Sequence, residues 1–335
     1  MSHFFGISEI APSFPHILNY QRTAGGIEMK NEFWDFATET DSKSLLKFTQ
    51  KMTESFPFLT VSTVGRSILG TELPVFIFGH GKRRLLYVGA HHGMEWITAN
   101  LLFRFCFELC EGYRANRTVY RTSLPFLWDQ YSLHIVPMLN PDGVDYALHG
   151  VDPENPLSQR VIGMNGGSSD FSHWQANARG VDLNHNYDAG FAEYKALERA
   201  QKIGCGAPTR YSGSAPESEP EVKALCNYIR FHHLWKVVLT FHTQGEEIYW
   251  NGRGVNLPGA EEPARKFARL CRYRLTEPQG LSSYGGLSDW CAEALRIRAL
   301  TVECGKGENP LPISQFPVIY ASIREALFTA PRLYG

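Results

Sequence analysis

Three apolar stretches of this chain end on residues that can hold a metal ion or move a proton. The first, Leu85-Leu86-Tyr87-Val88-Gly89-Ala90, runs into His91-His92-Gly93-Met94-Glu95-Trp96. A His-x-x-Glu where a strand gives way to a helix lets an imidazole and a carboxylate from one tight turn point at a single ion, which is half of a zinc site. The second stretch, Val237-Val238-Leu239-Thr240-Phe241, ends on His242, and the third, Ala299-Leu300-Thr301-Val302, on Glu303. A carboxylate at the edge of such a run costs several kcal/mol to ionise without a partner, so Glu303 calls for one. Two imidazoles, one carboxylate ligand and one free carboxylate are the parts of a catalytic zinc centre: three protein ligands, a position for water and a base beside it. Each part also has a plainer reading. A Glu that opens a helix is favourable at the positive end of the helix dipole, and a His at a strand end is often a hydrogen-bonded terminus. The conjunction points to metal chemistry.

The surrounding pattern supplies the elements that must position these groups. Apolar spacing predicts helices over Ser44–Ser55, Glu95–Leu109, Glu219–His232, Ala260–Leu275, Ser288–Leu295 and Val318–Leu327. Strands are predicted at Leu73–Phe78, Leu85–Gly89, Tyr131–Met138, Trp235–Phe241 and Ala299–Glu303. Apolar strands alternating with helices imply an α/β fold, a mixed and mostly parallel twisted sheet covered by helices on both faces. Ligands in such sheets collect at the carboxyl ends of the strands, where the three stretches above place their polar residues. No linker divides the chain, so residues 1–40 read as an irregular lead-in packed on the same domain and 41–335 as one catalytic domain.

Composition narrows the partners. The 335 residues are 43% hydrophobic and 20% charged, as in a soluble globular protein. Lys plus Arg number 33 against 34 Asp plus Glu, so no net field steers the chain toward nucleic acid or an anionic membrane. No signal peptide is visible in Met1–Tyr20, and no apolar run approaches the roughly 20 residues of a membrane helix. Seven cysteines leave one unpaired in any full disulfide scheme. Cys106 and Cys110 stand four apart without a second pair to complete a zinc ribbon, and a reducing cytoplasm is the expected location.

Five segments together resemble the zinc carboxypeptidase family. His92-Gly93-Met94-Glu95-Trp96 is similar to its His-x-x-Glu-Trp motif and Asn140-Pro141-Asp142-Gly143 to its Asn-Pro-Asp-Gly turn. Gly180-Val181-Asp182-Leu183-Asn184-His185-Asn186-Tyr187 resembles the loop that binds the substrate carboxylate. Glu217-Ser218-Glu219-Pro220-Glu221 resembles a Ser-Glu-Pro-Glu helix start, and Thr301-Val302-Glu303-Cys304-Gly305 the segment with the general base. The motifs keep the family order over roughly residues 40–330. The resemblance implies one Zn2+ ion held by His92, Glu95 and His242, Glu303 as the base that activates the attacking water, and Asn184 and His185 as substrate-binding residues. His91 is left to structure or to support of the ligands, and the Asn-Pro-Asp-Gly turn shapes the cleft.

Departures from the family concern recognition. His185 stands where carboxypeptidases carry the Arg that grips a terminal carboxylate, and imidazole lacks the bidentate fork of guanidinium. Gln175 aligns with the carbonyl-polarising Arg, Met94 with the Arg of the His-Ala-Arg-Glu motif, and Leu281 with the mobile tyrosine. With Phe241–Trp250, Tyr284-Gly285-Gly286-Leu287-Ser288-Asp289-Trp290 and Gly307-Glu308-Asn309-Pro310-Leu311-Pro312, this pattern resembles a bacterial branch, the γ-D-glutamyl-L-diamino acid endopeptidases. That likeness implies hydrolysis of the γ-D-Glu to diaminopimelate bond of cell-wall muropeptides. Asn184, His185, Glu246, Glu247 and Asp289 would face a leaving group of both charge signs, although Glu246 and Glu247 also read as a solvated turn. The competing expectations are a carboxypeptidase of altered C-terminal specificity, an N-acyl amino acid amidohydrolase of the same fold, and a non-catalytic muropeptide-binding protein. The expected partner is a small peptide or muropeptide, with no nucleic acid and no membrane.

Overall fold

The computed structural model describes residues 22–23, 26–27, 33–152, 154, 156–277, 280 and 284–335. Eight strands form one mixed sheet: β1 Thr60–Arg66, β2 Glu72–Phe78, β3 Arg83–Val88, β4 Tyr131–Val136, β5 Trp235–His242, β6 Glu247–Tyr249, β7 Arg274–Thr276 and β8 Ala299–Glu303, in the order β7-β6-β8-β5-β3-β4-β2-β1. The four central strands are parallel, while β6 pairs antiparallel with β8 and β2 with both of its neighbours. The helices are α1 Ser42–Ser55, α2 Ile97–Arg114, α3 Leu124–Gln130, α4 Pro141–His149, α5 Ser158–Met164, α6 Phe191–Ala200, α7 Pro220–Phe231, α8 Glu261–Cys271, α9 Leu287–Glu293 and α10 Phe316–Tyr334. The mixed α/β architecture is the one the sequence predicts.

Side chains of the central strands alternate between two cores. On β3, Leu85 and Tyr87 join the face covered by α1, α2, α8 and α10, while Leu86 and Val88 join the face covered by α7 and α9. Burial on both faces is why these strands read as unbroken apolar runs. Parallel register then aligns their ends. Val88 stands opposite Thr240, and Glu303 opposite His242, so β3, β5 and β8 finish at one edge of the sheet.

Several expectations are corrected. Ala260–Leu275 is not one helix: α8 stops at Cys271, Arg272 turns left-handed at φ 60, and the chain resumes as edge strand β7 parallel to β6. The closing helix begins earlier and ends later than predicted. Asn140-Pro141-Asp142-Gly143 opens helix α4 rather than forming a free turn, with Asn140 as its N-cap and Pro141 in the first turn. Strands β1 and β6 and helices α3, α4, α5 and α6 were not anticipated. Most of the lead-in lies outside the described residues. Its described part is seated in the core, where Phe33 stacks on Phe107 at 4.6 Å and Trp34 meets Phe48 edge-on at 5.2 Å. All seven cysteines are free thiols, six of them buried, and no described helix is long and apolar enough to cross a membrane.

Asn140 ties this scaffold to the strand ends. Its Oδ1 accepts from the Gly143 amide at 2.9 Å, and its Nδ2 donates to the carbonyls of His91 at 3.0 Å and Ala176 at 3.1 Å, all in the interior. Asn140→Ala strands three buried backbone groups, and we expect a loss of about 3 kcal/mol in urea unfolding. A loss under about 0.5 kcal/mol would contradict this account of the turn.

Candidate active site

Past Val88 the chain reverses at Ala90, whose φ of 45 is stabilised by an amide hydrogen bond to Thr98 Oγ1 at 2.8 Å. Gly93–Glu95 form a single 3-10 turn before α2. That turn is pinned by Gly93 N–H to the Gln175 carbonyl and Met94 N–H to the Trp174 carbonyl, at 3.0 and 2.9 Å. A Cβ on Gly93 would lie 2.2 Å from the Gly143 carbonyl oxygen, so only glycine lets the turn abut the start of α4. His92 and Glu95 are thereby fixed three residues apart on one turn, and His242 arrives from the end of β5.

The three side chains converge. His92 Nδ1 is 3.0 Å from Glu95 Oε1, His242 Nδ1 is 3.1 Å from Glu95 Oε2, and the two Nδ1 atoms are 3.3 Å apart. All three residues are buried. The outer nitrogens also have neighbours: His92 Nε2 lies 3.2 Å from Asp182 Oδ1 and His242 Nε2 lies 3.1 Å from Thr240 Oγ1. Two imidazole nitrogens and one carboxylate facing a common point, each imidazole held from behind, match the donor set of a zinc ion with an open fourth position. Among the described residues a second grouping, Asp41, Asp145 and His149, is engaged in holding the start of α1 through Ser42 and Ser44.

Charge supports this fit. Burial opposes a proton on His92, but Glu95 and Asp182 outweigh it and raise the imidazole well above its usual range. Burial alone would raise Glu95, yet the facing imidazoles hold it at about 2. Asp182, also buried, is kept below the ordinary carboxylate range by His185 and His92. Two ionised carboxylates around neutralisable imidazoles make a pocket that favours a compact cation.

Glu303 lies beside this cluster on β8, in register with His242. Burial, then the neighbouring Glu95 carboxylate, pushes its carboxyl well above the usual value. It makes no hydrogen bond or ion pair among the described residues, which leaves both oxygens available to a substrate or water. His91 turns away from the cluster: its Nε2 meets the Tyr187 hydroxyl at 3.0 Å and its Nδ1 the Thr240 hydroxyl at 3.2 Å, and its ring stacks behind His242 at 5.2 Å.

A cavity of about 160 Å³ opens beside the cluster, lined by His92, His242, Glu303, Gln175, Asn184, His185, Tyr249, Trp250, Asn251, Gly252, Gly286, Ser288, Asp289 and Thr301. Among the described residues no Lys or Arg lines it. Asn184 is held by Leu287 N–H donating to its Oδ1 at 3.1 Å. The His185 ring stacks on Tyr194 with centroids 4.1 Å apart, and its Nδ1 bonds the Tyr284 carbonyl at 2.7 Å. That carbonyl only accepts, so Nδ1 carries a proton, while burial lowers the proton affinity of the ring and Nε2 lies 4.0 Å from Asp182 Oδ2. Gln175 donates to Asp182 Oδ2 at 3.0 Å and accepts from the Thr209 hydroxyl at 2.8 Å. Glu246 and Glu247 are not part of the cavity; they pair with Lys306 and Arg274. Burial pushes the Asp289 carboxyl up to about 7. Leu281 lies outside the described residues.

Sequence reasoning did not single out Asp182, Thr240 or Asn309. Asn309 Nδ2 donates to the Thr243 carbonyl at 2.8 Å and reaches Glu95 Oε1 at 3.4 Å. Thr240 had a signal, since it stands two residues before His242 and so shares its face. Asp182 sits inside a motif already noted, but its approach to His92 depends on a fold contact ninety residues away in sequence.

Known proteins can be set beside this geometry. A family model described as zinc carboxypeptidase matches residues 45–325. Gamma-D-glutamyl-L-diamino acid endopeptidase 1 of Lysinibacillus sphaericus is 35% identical over 282 residues, covering 84% of this chain and 69% of that protein. Mast cell carboxypeptidase A of Rattus norvegicus is 24% identical over 241 residues, 70% of this chain and 53% of that one. In fold, the crystal structure of carboxypeptidase A from Helicoverpa armigera superimposes with a TM-score of 0.68 at 18% identity, covering 90% of this chain and 74% of that one. With the match running from α1 into α10, the chain belongs to the zinc carboxypeptidase family and is a metallopeptidase.

Proposed function

We propose that this protein hydrolyses the γ-D-glutamyl to diaminopimelate bond of cell-wall muropeptides, using one zinc ion held by His92, Glu95 and His242. The observation that supports the choice of bond is the cavity wall: beside the donor set and base, its described residues include no guanidinium of the kind that grips the terminal carboxylate in carboxypeptidases. The relative from Lysinibacillus sphaericus, by its name, acts on such a γ-D-glutamyl bond.

Bound among these ligands, zinc supplies Lewis-acid polarisation of the scissile carbonyl and acidifies the attacking water. Glu303, with no competing partner and an elevated proton affinity, accepts the water proton and returns it to the leaving nitrogen. Asp182 and Thr240 hold the two imidazoles in orientation from behind. Asn184 and His185 position the leaving residue, and burial lowers the proton affinity of the His185 imidazole where carboxypeptidases present a permanent cation. Seven free thiols support a reducing, cytoplasmic location.

The direct test is incubation of zinc-loaded protein with L-Ala-γ-D-Glu-meso-diaminopimelate and with ordinary C-terminal peptides, followed by mass analysis. Release of diaminopimelate is expected; efficient trimming of ordinary peptides with no γ-glutamyl cut would instead establish a carboxypeptidase of altered specificity. His185→Arg should lower kcat/KM on the muropeptide by about tenfold, because the imidazole stacked on Tyr194 is lost and a longer side chain takes its place in the cavity wall. A rise on that substrate would reverse the assignment of this position.

Glu303→Gln keeps the shape and removes the base. Zinc content should stay at wild-type level while kcat falls about 10³-fold; near-normal turnover would remove Glu303 from the mechanism. Asp182→Asn should weaken zinc binding by about 10 to 100-fold in a chelator competition, because the partner carboxylate behind His92 is lost. Unchanged zinc affinity would show that Asp182 does not support the ligand.

A further inference from the structure

One residue that lines the cavity carries a polar atom that no described residue engages. Asn251 is 6% exposed, its Oδ1 is fully buried with no hydrogen-bond partner, and the residue lines the cavity. A buried carbonyl without a donor is costly, and native proteins keep one chiefly where a ligand or water completes it.

Its neighbours indicate what would complete it. Gly252 packs against the start of α9 so closely that a Cβ there would lie 2.7 Å from Asp289 Cα, and the buried Asp289, whose carboxylate accepts from the Gly286 amide at 3.2 Å, lines the same cavity as Asn251. Ser288 and Thr301, also in the wall, satisfy each other through hydroxyls 2.8 Å apart and supply no donor to Asn251. An unpartnered acceptor in a wall shared with Asp289, with no Lys or Arg among the described lining residues, is complementary to a positively charged donor; Arg253, whose charge acts on Asp289, is itself paired with Glu193 and Glu293.

We propose that Asn251 is a specificity-determining residue whose Oδ1 accepts a hydrogen bond from the distal ammonium of the leaving diamino acid, with the Asp289 carboxyl in the same wall. This inference rests on the γ-glutamyl reading above and adds the group by which the leaving residue is recognised. A leaving residue lacking that ammonium would leave Asn251 Oδ1 buried and unpaired, and a site built around a hydrogen bond rejects the analogue that cannot make it.

The experiment compares L-Ala-γ-D-Glu-meso-diaminopimelate with the same peptide ending in 2-aminopimelate, in which the distal amino group is replaced by hydrogen. Wild type should favour the diamino substrate by roughly tenfold or more in kcat/KM, chiefly through KM. Asn251→Leu, similar in size but without the acceptor, should bring the ratio close to one, whereas Asn251→Asp should keep or increase it. Thermal unfolding of both variants reports whether the wall stays folded. If Asn251→Leu loses activity on both peptides equally and keeps the wild-type ratio, the residue is structural and the proposal fails. It fails equally if wild type cuts both peptides alike. Cleavage of neither peptide, with zinc bound, overturns the γ-glutamyl reading and this inference with it.

Discussion

The hydrogen-bonded register of three parallel strands governs this molecule. β3, β5 and β8 are neighbours, and pairing Val88 with Thr240 and Glu303 with His242 makes their carboxyl ends coincide. A slip of one residue in β5 would turn His242 to the opposite face and put Phe241 into the cleft. The two cores on either side of the sheet enforce that register, because every other side chain of these strands has a separate apolar environment to fill.

Behind the strand ends the chain builds a polar layer from amides and acids rather than from lysines and arginines. Asn177 donates to Glu219 at 2.8 Å, Asn186 to the Ser212 carbonyl at 2.7 Å, and Asp142 accepts from the Ser67 hydroxyl at 2.7 Å and the Leu69 amide at 2.9 Å. Burial pushes Asp142 to about 6 and Glu221 to about 8, so near neutral pH part of this layer carries protons instead of charge. Such a layer positions loops mainly through amides and carboxyls. The cavity beside it has Asn184, His185, Asn251 and Asp289 among its lining residues.

The central strands and their polar ends were legible because double burial writes an apolar run and a sheet end writes a sudden polar residue. β1 carries no such signature: it is an edge strand with exposed and half-buried residues throughout. β6 and β7 are three residues each, too short for a period to register. The extension of the predicted helix to Leu275 failed at Arg272, where a residue with no special preference for the left-handed region adopts it. Within the site, His92, Glu95, His242 and Glu303 could be read from local pattern, whereas Asp182 and Asn251 matter through contacts that no local spacing encodes. Glu246 and Glu247 do not line the cavity and pair with Lys306 and Arg274, although Glu247 stands opposite Glu303 across the strand pair.

His92 and Glu95 share one turn, whereas the contact between Glu95 and His242 closes a loop of 147 residues. The two kinds of closure differ in entropy. The first is nearly complete as soon as the turn forms, while the second is reached only when β5 has docked beside β3. An unfolded chain therefore presents half a chelate, and a cation gains its third protein ligand only from the assembled sheet. Whatever affinity the full set has over the half set is returned as stability of the folded state. An ion held by these three residues would act as a clasp across the middle of the sheet, which would link loss of metal to loss of fold.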